Sequence, residues 1–175
     1  MLLERDSVDP NRPNRYDRTP LGNAALRGHE EVVKLLLECQ NVDPNRPDNC
    51  KDRTPLVCAA IEGHEGVVKI LLEQKNVDPN RPDENNRTPL GGAASWGHEG
   101  VVKLLLEREN VDPNCPDNND LTPLGWAALN GHEGVVKLLL ERGDVDPNRP
   151  DKHGGTPLSY ATREGHGRVV QLLQA

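Results

Sequence analysis

The sequence predicts an all-α solenoid: five stacked helix-turn-helix repeats joined by β-turn or hairpin fingers. Three recurring strings carry this reading. Thr-Pro-Leu begins at Thr19, Thr54, Thr88, Thr122 and Thr156. Val-Asp-Pro-Asn begins at Val8, Val42, Val77, Val111 and Val145, and Gly-His at Gly28, Gly63, Gly97, Gly131 and Gly165. Each series advances by 34 residues, apart from one step of 35. A fixed period of this size belongs to chains whose units pack only on their neighbours. Such chains present a long surface, so the expected role is binding rather than catalysis.

Each element follows from local chemistry, and the unit 42–76 serves for all. It opens Val42-Asp43-Pro44-Asn45-Arg46-Pro47-Asp48, where two prolines and several Asn/Asp residues forbid a regular helix. An extended arm and a tight turn are expected instead. Thr54 reads as an N-cap, with Pro55 at the first helical position. Leu56, Ala59 and Ala60 form a short apolar face, and Gly63 ends the helix in left-handed backbone. His64-Glu65 starts a second helix that carries Val67, Val68, Ile70, Leu71 and Leu72. Near its end stand Glu73 and Lys75, and Asn76 is expected to take a left-handed cap. The alanines admit a close neighbour to the first helix, while the branched residues of the second fill the next layer. Glu30/Lys34, Glu65/Lys69, Glu99/Lys103 and Glu133/Lys137 stand four apart. As ion pairs they would contribute only ~0.2–0.5 kcal/mol each, on a solvated outer face.

These units give one domain, 1–175, with a partial repeat at 1–7 and repeats at about 8–41, 42–76, 77–110, 111–144 and 145–175. The chain lacks Phe and has two Trp and two Tyr among 175 residues, which suits a thin two-layer stack better than a compact ball. Net charge is −7, which argues against binding nucleic acid by phosphate neutralisation. Cys39, Cys50, Cys58 and Cys115 fall at different places in the repeat without CxxC spacing, so neither a disulfide framework nor a zinc site is expected. Free thiols point to the cytosol or nucleus. There is no apolar run long enough to cross a membrane.

The period alone also fits tetratricopeptide repeats, but those are nearly all helix, and about a dozen residues per unit here are punctuated by proline. The string Thr122-Pro123-Leu124-Gly125-Trp126-Ala127-Ala128-Leu129-Asn130-Gly131-His132-Glu133-Gly134-Val135-Val136-Lys137-Leu138-Leu139-Leu140-Glu141 resembles the ankyrin repeat, and the resemblance covers essentially the whole chain five times over. The Val-Asp-Pro-Asn-Arg-Pro-Asp linker and the near-identity of the units are similar to arrays in large fungal ankyrin-repeat proteins. The histidine common in the family after Thr-Pro-Leu is replaced by Gly22, Val57, Gly91, Gly125 and Ser159, which should cost some stability. The usual turn glycine is Asp17, Asp52, Asn86 and Asp120, returning only as Gly154; Asn and Asp tolerate positive φ better than other side chains. Repeat two carries an extra residue around 49–51, where a changed finger shape is expected.

The two ends differ. Leu2-Leu3-Glu4 aligns with Leu36-Leu37-Glu38 and reads as the tail of a preceding second helix, as if further repeats stood before it. In the last unit Gly167, Gln171, Gln174 and Ala175 replace Glu, Lys, Leu and Glu, which reads either as a capping repeat or simply as the place where the chain stops.

The resemblance implies a protein partner touching the turn tips and the exposed end of each first helix. The tips are Arg15, Tyr16 and Arg18; Asn49, Cys50, Lys51 and Arg53; Glu84, Asn85 and Arg87; Asn118, Asn119 and Leu121; Lys152 and His153. The helix positions are Leu26 and Arg27, Ile61 and Glu62, Ser95 and Trp96, Leu129 and Asn130, Arg163 and Glu164. The five units disagree most at these places, as a reading surface requires and as an unconstrained surface would also show. Trp96, in the central unit, is the sharpest residue: either a binding anchor, extended by Tyr16, Leu121 and Leu129, or a ring folded over its neighbour. Trp126 and Tyr160 occupy another slot and are expected to pack between repeats.

The five histidines at fixed phase, His29, His64, His98, His132 and His166, read as structural hydrogen-bonders, since a catalytic base is not needed five times. No nucleophile–base arrangement or phosphate loop stands out, so neither enzyme activity nor a cofactor is expected. The ladder Asp43/Asn45/Asp48, with copies at Asp78/Asn80/Asp83, Asp112/Asn114/Asp117 and Asp146/Asn148/Asp151, offers oxygen ligands. Calcium takes about 6–8 of them, so turn chemistry is the plainer reading. Arg12, Arg46, Arg81 and Arg149 are expected to pair with this ladder or to line an anionic groove. The molecule is expected to be a monomer that recognises an unidentified protein, without membrane or nucleic acid; the alternative is a spacer that stacks end to end.

Overall fold

The computed structural model describes residues 9–48 and 51–175, so Leu2-Leu3-Glu4, Asn49 and Cys50 lie outside the described residues. Among the described residues ten helices follow one another in five pairs: α1 (Pro20–Leu26) with α2 (Glu30–Leu37), α3 (Pro55–Glu62) with α4 (Glu65–Leu72), α5 (Pro89–Trp96) with α6 (Glu99–Leu106), α7 (Pro123–Asn130) with α8 (Glu133–Leu140), and α9 (Pro157–Arg163) with α10 (Gly167–Leu173). First helices pack on first helices and second on second, in chain order. The all-α solenoid expected from the period is the fold observed.

Every first helix starts as its sequence requires. The Thr54 hydroxyl accepts the Val57 N–H at 3.2 Å, and Thr19, Thr88, Thr122 and Thr156 cap in the same way. Proline follows each of them, where its missing N–H costs nothing. α3, α5 and α7 end on Gly63, Gly97 and Gly131 at φ of 75°, 75° and 74°.

The second helices end differently from the expectation. The residue after each of α2, α4, α6 and α8 stays right-handed, and Asn76 is not left-handed. The chain leaves α4 through a turn in which Val77 N–H donates to the Gln74 carbonyl at 3.2 Å, so no left-handed cap is needed. Nor do the four Glu/Lys pairs spaced four apart close; Lys34 pairs with Glu31 instead, at 2.7 Å. The reason lies in the stacking. Glu30, Glu65 and Glu99 turn their carboxylates onto the first turn of the next second helix, over Gly66, Gly100 and Gly134. A Cβ at those glycines would lie 2.0, 2.0 and 1.9 Å from a carboxylate oxygen. A negative charge is favoured at that end of a helix.

The core is one continuous seam of repeated residues. Leu21, Leu56, Leu90 and Leu124 are buried on the first helices; Val33, Val68, Val102 and Val136 with Leu71, Leu105 and Leu139 are buried on the second. Ala59, Ala60, Ala93, Ala94, Ala127 and Ala128 are fully buried where first helices meet. Larger side chains would force those helices apart at ~1–3 kcal/mol each.

Four of the five fingers are closed by bonds such as Asp83 N–H to the Arg87 carbonyl at 3.0 Å, spanning four residues. In the second finger Asp48 N–H reaches the Arg53 carbonyl at 2.9 Å, one residue further on, which is where the extra residue is absorbed. Asp17, Asp52, Asn86 and Asp120 hold φ of 58°, 52°, 59° and 61°, doing the work of the missing turn glycines. Neighbouring fingers are tied to one another: Glu84 N–H donates to the Lys51 carbonyl, Asn118 N–H to Asn85, and Lys152 N–H to Asn119. Among the described residues these remain bonded turns without a strand.

The linker ladder is used by the backbone. Asn80 Nδ2 donates to the Asn110 carbonyl at 2.6 Å, and its Oδ1 accepts the Asp112 N–H at 3.2 Å; Asn11, Asn45 and Asn114 repeat the pattern. Asp43, Asp78, Asp112 and Asp146 accept the N–H two residues on. Among the described residues no cluster of three His, Cys, Asp or Glu side chains is arranged to hold a metal ion. Among the described residues the linker arginines do not pair with the ladder: Arg12, Arg46, Arg81 and Arg149 close no ion pair there, and Arg149 donates to the Asn114 carbonyl at 3.3 Å. The finger arginines reach the ladder's buried carboxylates first.

Candidate recognition surface

Each finger is organised around one Asx side chain, Asn14 in the first and an aspartate in the other four. Asp83 Oδ1 accepts the N–H groups of Asn85 and Arg87, both at 3.0 Å, and Asp48, Asp117 and Asp151 do the same in their own fingers. Asp48, Asp83 and Asp117 are buried, at 3%, 4% and 7% exposure, so the second oxygen also needs a donor.

Two different solutions supply it. Arg18 Nε and Nη2 donate to Asp48 Oδ2, both at 3.2 Å, reaching from the preceding finger. Arg53 and Arg87 converge on Asp83 Oδ2 at 3.8 and 3.5 Å, and two guanidinium groups on one carboxylate leave the buried Nε atoms of both without a hydrogen-bond partner. In the last two units the arginine position is Leu121 and Gly155. There the donor comes from the first helix: Trp126 Nε1 to Asp117 Oδ2 at 3.1 Å, and the Tyr160 hydroxyl to Asp151 Oδ2. Trp126 and Tyr160 thus fasten their own fingers, a role beyond the packing between repeats expected of them. Burial works against ionisation of Asp151, but the Tyr160 hydroxyl and the N–H groups of Gly155 and His153 outweigh it and hold the carboxyl below its ordinary value.

The same arrangement crowds three of the five positions where the family histidine is missing. A Cβ at Gly22 or Gly91 would meet Cγ of Arg18 or Arg87 at 3.3 and 3.2 Å, and one at Gly125 would meet Leu121 Cδ1 at 2.7 Å. The finger's own side chain covers the start of the first helix.

The expected contact residues divide accordingly. Arg15, Tyr16, Arg27, Lys51, Glu62, Glu84, Asn85, Trp96, Asn118, Asn119, Asn130, Lys152, His153, Arg163 and Glu164 are exposed. Arg18, Arg53 and Arg87 are half-buried in the finger bases. Leu26, Ser95 and Leu129 are half-buried. Leu121 is a correction: at 7% exposure it packs on Gly125 under its finger and offers a partner no side-chain surface. Ile61 is a second, buried against Gly92. Trp96 stands 60% exposed and Tyr16 55%. Between fingers three and four lies a cleft of about 290 Å³ lined by Asn85, Arg87, Asp117, Asn118, Asn119 and Trp126.

The histidines are structural in their geometry. Nε2 of His64, His98, His132 and His166 lies 3.0, 2.8, 3.1 and 3.1 Å from the carbonyls of Leu26, Ile61, Ser95 and Leu129 in the preceding unit. Each ring lies against the glycine that ended the preceding first helix. Burial pushes the Cys58 thiol up to about 12, which keeps it protonated and inert. Among the described residues no helix is long and apolar enough to cross a membrane.

Two family models match the chain. One, described as ankyrin repeats in three copies, matches residues 40–117 and 106–175; the other, ankyrin repeats in many copies, matches residues 1–37. Among curated proteins none matches.

Proposed function

Because the chain belongs to the ankyrin-repeat family, whose repeats are generally protein–protein interaction modules, we propose that it recognises a protein partner through its finger tips and the exposed ends of its first helices. The observation that carries this reading is Trp96: a large aromatic, 60% exposed, in the central unit, on the row where the five repeats differ most. Large aromatics are common anchors of interfaces. The surface is preorganised, since the fingers are bonded to one another and to buried aspartates, so little ordering cost falls on binding. Nothing in this reading calls on catalysis. The free thiols of Cys39, Cys58 and Cys115 favour an intracellular setting. Affinity capture with the intact chain and with Trp96→Ala tests it. A protein held saturably by the first and lost by the second, at equal thermal stability, supports the surface; equal retention by both rejects it.

A second reading, end-to-end assembly, is favoured by one specific observation. Val32 and Leu35 on α2 are 46% and 49% exposed, whereas Val67, Val101 and Val135 at the position of Val32 are buried against the preceding unit. The acid-over-glycine pattern is also reversed at the two ends, with Glu31 in the glycine position of α2 and Gly167 in the acid position of α10. Two copies would therefore meet without two carboxylates in one place. Light scattering over a concentration series decides it: a mass that stays monomeric overturns assembly.

A further inference from the structure

Resting on the recognition surface proposed above, the geometry points to a cationic side chain of the partner, Lys or Arg, seated between Trp96 and Glu62 at the middle of the first-helix row. The chain has four aromatic side chains besides its histidines, and three are already engaged. The Arg15 guanidinium stacks over Tyr16 at 4.7 Å, and Arg163 over Tyr160 at 4.9 Å. Trp126 is bonded to Asp117. Trp96 alone carries neither a hydrogen bond to, nor a stacked cation from, any described residue, although its ring is 60% exposed. Indole is the best of the side-chain rings at attracting a cation to its face.

The row in which it stands is equally selective. Arg27, Glu62, Trp96, Asn130 and Glu164 occupy one position in the five units. Glu164 is neutralised by Arg163 at 2.9 Å. Asn130 Nδ2 donates to the carbonyls of Ser95 and Trp126, both at 3.1 Å. Glu62 is exposed, and its carboxylate closes neither an ion pair nor a hydrogen bond, with Arg27 or with any other described residue. Glu62 and Trp96 hold the last position of α3 and of α5, consecutive first helices that are clamped together there. A Cβ at Gly92 would meet Ile61 Cγ1 at 2.8 Å, so the absence of a side chain lets the helices close. His98 Nε2 then bonds the Ile61 carbonyl at 2.8 Å, two residues beyond Trp96 and one before Glu62. An unengaged π face and an unengaged carboxylate at the same position of consecutive units are the complement of an ammonium or guanidinium group, which gains from both.

Selection of phage-displayed random linear peptides on the intact chain supplies the probes, and fluorescence polarisation of the selected peptides measures them. The expected result is enrichment of Lys or Arg, with affinity falling about tenfold in Trp96→Ala. Glu62→Gln is expected to weaken binding severalfold, and Trp96→Phe to keep part of the affinity. Both positions are exposed, and thermal melts of the variants check that folding is unchanged. Peptides without a basic residue that need Trp96 but ignore Glu62→Gln overturn the cation assignment and leave the recognition surface standing. Peptides insensitive to Trp96→Ala, Lys51→Ala and Asn130→Ala alike, or a selection that enriches nothing, overturn both.

Discussion

The carboxylate of Glu65 occupies the space that a side chain at Gly100 would need, 2.0 Å from where its Cβ would stand. The two residues belong to consecutive second helices. Glycine in a helix interior costs about 0.5–1 kcal/mol relative to alanine, so its place here reflects the acid above it. Gly100→Ala should therefore come out near neutral: the helix gains propensity, while the flexible Glu65 is pushed off the helix end, where its charge contributes about 0.3–1 kcal/mol. In a Glu65→Ala background the same change should be stabilising by about 0.5–1 kcal/mol. Urea unfolding of the four proteins of the cycle checks the sign, and equal effects in both backgrounds would refute the coupling.

Gly92 makes the opposite prediction. Its neighbour is the buried Ile61, not a flexible acid. Gly92→Ala is expected to destabilise by roughly 1–3 kcal/mol, as other insertions into packed interiors do. In an Ile61→Ala background, which removes the Cγ1 that the new methyl would meet, the added loss should shrink, and denaturant midpoints measure both.

Asp117 and Asp83 solve the same problem with different donors, which predicts an exchange. Trp126→Phe leaves the second oxygen of a buried carboxylate without its partner, at a cost of about 1–3 kcal/mol. Adding Leu121→Arg restores the guanidinium found at Arg53 and Arg87 and should recover part of that loss. Thermal unfolding of the single and double variants decides; an additive loss would mean that the two donors are not equivalent.

The Tyr160–Asp151 bond predicts a pH window. Asp151 is held below its ordinary value of 3.8, so its contribution is present above that pH and lost as pH falls through the lowered value. Tyr160 is raised above 10.0, chiefly by the hydrogen bond to Asp151 and then by burial, so its contribution is full below that pH and lost above it. The stability difference between the intact chain and Tyr160→Phe should be constant between roughly pH 4 and 10 and shrink at both ends. Melting temperatures of the two proteins across pH measure it; a difference that grows in acid contradicts the assignment.

What was legible in the sequence was local. Thr54 as a cap, Gly63 as a helix end and Asp52 as a left-handed turn each follow from one residue's effect on its own backbone. Part of what was missed depends on contacts about thirty residues away in the chain, and part on bonds nine residues apart between a finger and its own first helix. Three of the four Glu/Lys pairs failed because Glu30, Glu65 and Glu99 turn onto the next second helix, and Arg18 found Asp48 in the following finger before any linker arginine could. Yet signals were present. A glycine directly after the acid in α4, α6 and α8 has no local justification. Arginine at 18, 53 and 87 goes with Asn23, Cys58 and Gly92 in the helix slot. Leu121 and Gly155 go with Trp126 and Tyr160. Read together, those two columns give away the shared carboxylate and remove Leu121 from the exposed set. Asn76 was misjudged because a left-handed cap is one of several ways to satisfy a helix end.

The histidine bonds all point the same way, from one unit to a carbonyl of the unit before it. Through its histidine each unit holds a helix end of the unit before it. Removing the ring of His132 releases the end of α5 and leaves the end of α7 held, so damage travels toward lower residue numbers. The rings thus lend a polarity to a stack whose units are otherwise nearly alike: loss of one imidazole is expected to speed amide exchange at the end of the first helix before it and not at the end of its own.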